Sequence, residues 1–321
     1  MGVELDKSSI SMHNARMSHA RHTYTTDAVR FVQSYAKINL TLDVLGKRAD
    51  GYHELATVMQ TVELYDTLCL TMTHDTGVRV TCSRPELNNT DNLALQAAQA
   101  VCQRLALTQG LTVELHKRIP LAAGLGGGSS NAATVLLALQ AWWQLPLSTM
   151  DMLTIAASLG SDVPFFLSGG LALCEGRGEQ VTPLAAQWPA SMRWLLLVKP
   201  SISISTAAVF RSLAVHDYSD GTRSRAVCKA LQAMDELDPH DLHNSLERSV
   251  LEQYPAVAQA KADMLRAGAP YVRISGSGPT LFAPFPELSQ AARTQHLLCA
   301  QGYEVYLSRA VYPDLKDVTF Y

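Results

Sequence analysis

The chain has few features that point away from an ordinary folded protein. Its six cysteines, Cys69, Cys82, Cys102, Cys174, Cys228 and Cys299, are scattered and include no C-x-x-C pair, so no metal-ligand spacing is present and buried free thiols are expected. No apolar run approaches the roughly 20 residues that span a bilayer. The richest stretches, residues 194–198 and 132–139, are far shorter, and no membrane passage is expected. Charge of one sign is also scarce. A formal net charge of -3 argues against a chain built to neutralise nucleic-acid phosphates, and nucleic acid is not expected as a partner. The first thirty residues carry His13, Arg16, His19, Arg21, His22 and Arg30 among many Ser and Thr but no apolar core of a secretory signal. Glu4, Asp6 and Asp27 weaken a transit-peptide reading. A disordered or dispensable extension, or a start placed upstream of Met12 or Met17, remains, and residues 1–30 are set aside from the fold. The expected setting is cytoplasmic.

What is present is a balanced composition over 321 residues, 47% apolar and 17% charged, that suits a folded protein. Single cores stop growing near about 250 to 300 residues, so two packed lobes are expected. From Phe31 the chain alternates, with Ile38, Leu40, Leu42 and Val44 on one face and Lys37, Asn39, Thr41 and Asp43 on the other, the pattern of a half-buried strand. Similar runs follow at Leu68/Leu70/Met72, Val78/Val80/Cys82 and Leu111/Val113/Leu115, which predicts a mixed or antiparallel sheet. Asp91 can cap a helix that buries Ala94, Ala97, Ala98, Val101 and Leu105, and Ser148 with Asp151 reads as a capping box before Met152, Ile155, Ala156 and Leu159. Later come a strand over 194–199, helical stretches, strands near Tyr271 and Leu281, a helix over 287–298 and a strand near Val305. This order is α+β rather than regular βαβ winding. Pro183 and Pro189 punctuate an aperiodic stretch, so the lobes are expected to cover residues 31–188 and 189–321.

The most informative segment is Pro120-Leu121-Ala122-Ala123-Gly124-Leu125-Gly126-Gly127-Gly128-Ser129-Ser130-Asn131, between the strand ending near Leu115 and a helix expected over 130–143. Strand, glycine loop and helix together form an anion site. Glycine lets main-chain amides approach a phosphate closely, and a helix N-terminus adds about half a positive charge. Ser129 and Ser130 add hydroxyls. A Walker loop is excluded because the Lys-Ser/Thr pair is missing, and the dinucleotide fingerprint fails because Ser129 stands at its third glycine. Asp162, in Gly160-Ser-Asp-Val-Pro before the apolar Phe165-Phe166, lies where a carboxylate can edge a core beside a cleft. Lys37 and Asn39, two apart on a strand, share a face.

The glycine segment resembles the second motif of the GHMP kinases. In spelling it is nearest to the branch that acts on 4-diphosphocytidyl-2-C-methyl-D-erythritol. Lys37-Ile-Asn39-Leu, Arg48-Ala-Asp-Gly-Tyr52-His53-Glu, Gly160-Ser-Asp162-Val-Pro-Phe-Phe and Ser275-Gly-Ser-Gly278-Pro-Thr resemble the other characteristic blocks of that family in the same order. The resemblance implies a two-lobe fold, with an N-terminal lobe like domain 2 of ribosomal protein S5 and a ferredoxin-like C-terminal lobe. It implies transfer of the ATP γ-phosphate, with Mg²⁺, to the 2-hydroxyl of that small-molecule substrate, in the non-mevalonate route to isoprenoids. No Asp or Glu is placed by spacing to hold the metal.

By the same resemblance Asp162 is the general base and Lys37 keeps it ionised. Asn39 orients the polyol, Tyr52 and His53 recognise the cytosine, Phe210 sandwiches the ring from the other side, and Thr206 meets the substrate phosphates. The loop from Pro120 to Asn131 holds ATP; Lys117, from its own position just before that loop, is expected to steer the phosphates. A solvated charge is the rival reading for Lys117, and a core aromatic for Phe210. Tyr35 stands where the family commonly has proline, and Ala122 and Ala123 replace a glycine-rich approach, which leaves nucleotide affinity open. His240 and His243, three apart on an expected helical stretch, lack a third ligand. A monomer or weak homodimer is expected. Two rival functions remain, a GHMP kinase for another alcohol such as homoserine or mevalonate, and a catalytically silent nucleotide sensor.

Overall fold

The computed structural model describes residues 29–239 and 241–313. The expectations for the N-terminal extension and for His240 lie outside these residues. The first half forms β1 (Val29–Asn39), β2 (Asp43–Lys47), β3 (His53–Thr73), β4 (Val78–Cys82), α1 (Leu93–Arg104), β5 (Gly110–His116), α2 (Gly127–Trp142), α3 (Thr149–Leu159), α4 (Val163–Ser168), β6 (Leu171–Gly176) and β7 (Gln180–Pro183). The second forms β8 (Trp194–Lys199), α5 (Thr206–Arg211), α6 (Thr222–Ala233), α7 (Glu247–Gln253), α8 (Pro255–Arg266), β9 (Arg273–Ile274), β10 (Leu281–Phe285), α9 (Leu288–Ala300) and β11 (Glu304–Ser308).

The long β3 organises a seven-stranded mixed sheet, pairing antiparallel with β1, β2, β5 and β6, while β4 runs parallel to β5 and β7 closes a hairpin with β6. The second sheet is antiparallel in the order β11-β8-β10-β9. Its fourth, first, third and second strands thus lie side by side, as in a ferredoxin-like lobe.

Three cores produce a layered arrangement. Leu68, Leu70, Leu111 and Val113 on one face of the first sheet pack under α1 to α4. On the other face, Ile38, Leu40, Val58 and Val62 meet Leu195, Leu197 and Phe282 of the second sheet and Val227 and Leu231 of α6. The opposite face of the second sheet, Leu196, Val198, Leu281 and Phe285, is covered by Val257, Ala260, Ala291 and Leu298 from α8 and α9. The apolar run in β8 follows from burial on both of its faces. α2 is nearly apolar all round because helices and sheet enclose it, with Ala132, Ala133, Val135, Leu136 and Leu139 all buried.

Several sequence expectations need correction. The alternating run through Val44 is two strands, since the ladder breaks between Asn39 and Asp43. Nor is it half-buried: Lys37, Asn39, Thr41 and Asp43 are all buried too, because the second lobe covers the face expected to meet solvent. Residues 55–62 of β3 are buried on both sides, which erased the alternation that would have marked them as strand. The cap of α1 is Asn92, whose side chain accepts from the Ala94 amide, not Asp91. The capping box of Ser148 and Asp151 forms as expected. α2 begins at Gly127, three residues before its expected start, so two loop glycines lie in its first turn. His243 precedes α7 and is not in a helix. All six cysteines are free as expected, but only Cys69, Cys174 and Cys228 are buried; Cys82 and Cys102 are half-buried and Cys299 is exposed. Among the described residues, no helix is long and apolar enough to cross a membrane.

Candidate active site

β1 delivers Lys37 and Asn39 to a cleft between the lobes. The Lys37 amide donates to the Leu125 carbonyl at 3.0 Å, which ties the strand to the glycine loop. The Lys37 ammonium donates to Asn39 Oδ1 at 2.6 Å and lies 3.5 Å from Asp162 Oδ2. Asn39 in turn donates from Nδ2 to Thr57 Oγ1 at 2.8 Å. Asp162 holds the N-cap position of α4 but makes no side-chain cap, and its carboxylate is left facing Lys37. Lys37 is 5% exposed at its side chain and Asp162 31%, so the carboxylate faces the cleft while the ammonium is almost sealed. Such a pair interacts through few intervening waters, and its attraction is screened less than at the surface.

The glycine loop is shaped by what presses on it. Gly124 and Gly126 take φ of +75° and +69°. A Cβ at Gly124 would lie 2.3 Å from the Ser275 carbonyl, and one at Gly126 2.8 Å from the Phe166 ring. Gly126 is also the N-cap of α2 and has no side chain to satisfy the first-turn amides. Ala122 adopts φ +48°, a conformation glycine reaches at lower cost. Tyr35 sits at the register irregularity of β1.

Behind the loop lies a buried polar network. Lys117 pairs with Asp66 and donates to Asn131 Oδ1 at 2.8 Å, while Asn131 Nδ2 donates to Asp66 at 3.0 Å and to Ser34 at 2.9 Å. Lys117 is thus neither the solvated charge of the rival reading nor free. It faces the cleft with two of its three donors engaged.

These groups line one cavity of about 1120 Å³, larger than the roughly 300 to 1,000 Å³ of a single small-ligand site. Pro120 through Ser129, Asn131 and Lys117 line it along the loop, Lys37, Asn39 and Asp162 at its middle, and Tyr52, His53, Thr206 and Phe210 toward the second lobe. Ser130 alone among the expected residues is absent from the lining. With α2 starting at Gly127, Ser130 turns inward, where it is buried and accepts from Ser34 Oγ at 2.7 Å.

At the second-lobe end, His53 and Phe210 lie 5.3 Å apart between ring centroids at 33°. The two rings already pack against each other, so they present a ring surface rather than a ready gap between them. Burial, reinforced by the Lys47 charge, pushes the His53 imidazole below its ordinary pKa. Thr206 shares a hydrogen bond of 2.8 Å with Ser277. Gly276 lies at the centre: a Cβ there would come within 3.2 Å of Asn39 Oδ1 and 3.4 Å of Lys37 Nζ. The turn through Gly276 and Gly278 therefore belongs to the wall of the site.

Sequence reasoning missed Arg177. It caps the β6–β7 hairpin, lines the cavity and places its guanidinium 4.9 Å from the centroid of the Tyr52 ring. The available signal was its position between Gly176 and Gly178, both with positive φ. Tyr218, also in the lining, carried no local signal.

Residues 92–170 match the family model of the GHMP kinases N terminal domain, and residues 225–304 that of the GHMP kinases C terminal. A 4-diphosphocytidyl-2-C-methyl-D-erythritol kinase of Shouchella clausii is 39% identical over 285 residues, covering 87% of this chain and 94% of its own. One from Geobacillus sp. is 42% identical over 256 residues, 78% of this chain and 86% of that one. The crystal structure of a 4-(cytidine 5'-diphospho)-2C-methyl-D-erythritol kinase superposes with a TM-score of 0.75 at 32% identity, covering 88% of this chain and all (100%) of the other. A homoserine kinase from Cytophaga hutchinsonii, at 19% identity and a TM-score of 0.69 over 90% of this chain and 97% of its own, shares the fold. With relatives this similar over nearly their whole length, the chain belongs to the GHMP kinases, within their branch of 4-diphosphocytidyl-2-C-methyl-D-erythritol kinases.

Proposed function

We propose that this chain transfers the γ-phosphate of ATP to the 2-hydroxyl of 4-diphosphocytidyl-2-C-methyl-D-erythritol, with Asp162 as proton acceptor and Lys37 as the cation beside the reacting oxygens. The observation that carries the reading is the Lys37–Asp162 pair, 3.5 Å apart, at the middle of a cavity whose one end is the glycine loop and whose other end is aromatic. Phosphoryl transfer asks the protein for alignment and charge stabilisation more than for covalent chemistry. The uncapped first-turn amides of α2 and the third donor of Lys117 suit the phosphates of ATP. Asn39, held by Lys37 and Thr57, is placed to fix the acceptor hydroxyl next to Asp162. The acceptor proton passes to the Asp162 carboxylate as its oxygen attacks phosphorus. Tyr52, His53 and Phe210 receive the cytosine, and Thr206 the diphosphate.

The cradle that only glycine can form at Gly124 and Gly126 fits a nucleotide. For Mg²⁺ the fit is looser. Asp91 and Asp162 are the acidic residues lining the cavity, and the described residues contain no cluster of three or more His, Cys, Asp or Glu. Phosphate oxygens and water would therefore supply most of its ligands, and Ser129 is the loop hydroxyl that lines the cavity. Bound there, Mg²⁺ would neutralise charge on the transferring phosphates.

The test is ADP release by the purified protein with the cytidine-bearing alcohol, with the same alcohol lacking cytidine, and with homoserine or mevalonate. Activity with the first alone is expected. Asp162→Asn should lower kcat by at least about a hundredfold while ATP binding, followed by titration, stays within about twofold. A variant with ordinary turnover would remove Asp162 from the role.

A further inference from the structure

Asp43 is a carboxylate with no exposed surface and no part in the reaction above. Among the described residues no lysine or arginine forms an ion pair with it, and His243 Nε2 lies 4.0 Å from its Oδ1. Burial holds the His243 pKa below its ordinary value. Asp43 is instead satisfied by hydrogen bonds to one segment of chain, between α5 and the start of α6. Ser219 Oγ donates to Oδ1 at 2.7 Å, and the Ser224 amide and hydroxyl donate to Oδ2 at 2.9 and 2.6 Å. The Ser219 amide also donates to the Val44 carbonyl at 2.9 Å. A buried carboxylate cannot leave such donors without a large desolvation cost, so this segment is pinned to β2 at both ends.

The residue next to that anchor is Tyr218. It lines the cavity, and its ring meets His53 edge-on, with centroids 6.0 Å apart at 67°. His53 is thereby flanked by Phe210 on one side and Tyr218 on another. Among the described residues no protein group bonds the Tyr218 hydroxyl, which remains available to a ligand as donor or acceptor.

We propose that Tyr218 is a specificity-determining residue for the nucleobase end of the substrate, and that Asp43 is the positioning residue that holds it there through Ser219. This rests on the cytidine reading of the aromatic end. Tyr218 supplies the base with a ring edge and one hydroxyl, and Asp43 prevents the segment from withdrawing.

Steady-state kinetics with separate KM values for ATP and for the cytidine substrate tests the assignment. Tyr218→Phe should raise KM for the cytidine substrate about threefold and Tyr218→Leu about tenfold, the size of one hydrogen bond and then of the ring contact as well. KM for ATP and kcat should stay within about twofold. Tyr218→Leu should also lower the preference for the cytidine substrate over its uridine counterpart. Ser219→Ala, which removes one anchor and leaves Ser224 in place, should reproduce the Tyr218→Phe effect and add nothing in the Tyr218→Leu background, as expected for residues acting through one another. It keeps the positioning role testable if Asp43→Asn does not fold. Unchanged KM for the cytidine substrate in both Tyr218 variants, or an unchanged preference in Tyr218→Leu, overturns the specificity role. Additivity of Ser219→Ala with Tyr218→Leu overturns the positioning role. A wild-type protein inactive on the cytidine substrate removes the underlying reading, and this one with it.

Discussion

His53 shows how one residue's chemistry depends on what surrounds it. A neutral imidazole carries both a donor and an acceptor, which reading a base edge requires, whereas the protonated ring only donates. Burial and the neighbouring Lys47 both disfavour the proton, so the folded protein binds it less readily than the unfolded chain does. The contribution of this group to stability is therefore present above the unfolded value of about 6.5 and is lost as pH falls through the lower folded value. Binding should follow the same sense. KM for the cytidine substrate is expected to stay flat from about pH 8 down to about 6.5 and to rise only below that. A rise already complete by neutral pH would place the ring in a different environment. Lys37 and Asp162 make the complementary point, since neither residue type nor spacing could bring them within 3.5 Å of each other. That required β1 and the turn before α4 to meet.

At the scale of elements, the glycine loop contains glycines of two kinds. Gly124 has positive φ and faces the Ser275 carbonyl at 2.3 Å from its missing Cβ; the fold itself demands it. Gly128 has neither constraint, its nearest contact being Leu93 Cδ1 at 3.7 Å, and any demand for glycine there comes from the ligand. Gly124→Ala should therefore destabilise the protein by about 1 to 3 kcal/mol. Gly128→Ala should leave Tm within a few degrees and weaken ATP binding. Melting curves alongside ATP titrations of the two variants separate the cases, and equal loss of Tm in both would contradict the distinction. Much of this element was legible from the chain, because glycine density between a strand and a helix is a local signal. The inward turn of Ser130 was not: it depends on α2 starting at Gly127 and on Ser34 of β1.

Across the whole molecule, the middle core joins the two sheets. Phe282 of the second sheet packs in one cluster with Ile38, Leu40 and Leu125, which lie on or beside the strand and loop of the site. The same contact that stabilises the protein also fixes Lys37 relative to the glycine loop. Phe282→Ala should cost about 3 to 5 kcal/mol, and urea unfolding followed by tryptophan fluorescence and by circular dichroism should still give coincident transitions, because neither sheet keeps a complete core without the other. Separate transitions would show that the lobes fold independently.

Sequence by itself determined what depends on neighbours along the chain: the alternation of β4 and β5, the apolar run of β8, the capping box of α3, the glycine density of the loop before α2, and through its motifs the family. Tertiary structure decided what depends on distant segments meeting. The second lobe buried both faces of residues 37–44, sequestered Asp43 and so oriented Tyr218. The β6–β7 hairpin brought Arg177 over Tyr52, and the turn at Gly276 closed against Asn39. Local propensity is a property of a few adjacent residues, whereas the walls of this cavity are assembled from both lobes, and only the packing of three cores sets their separation.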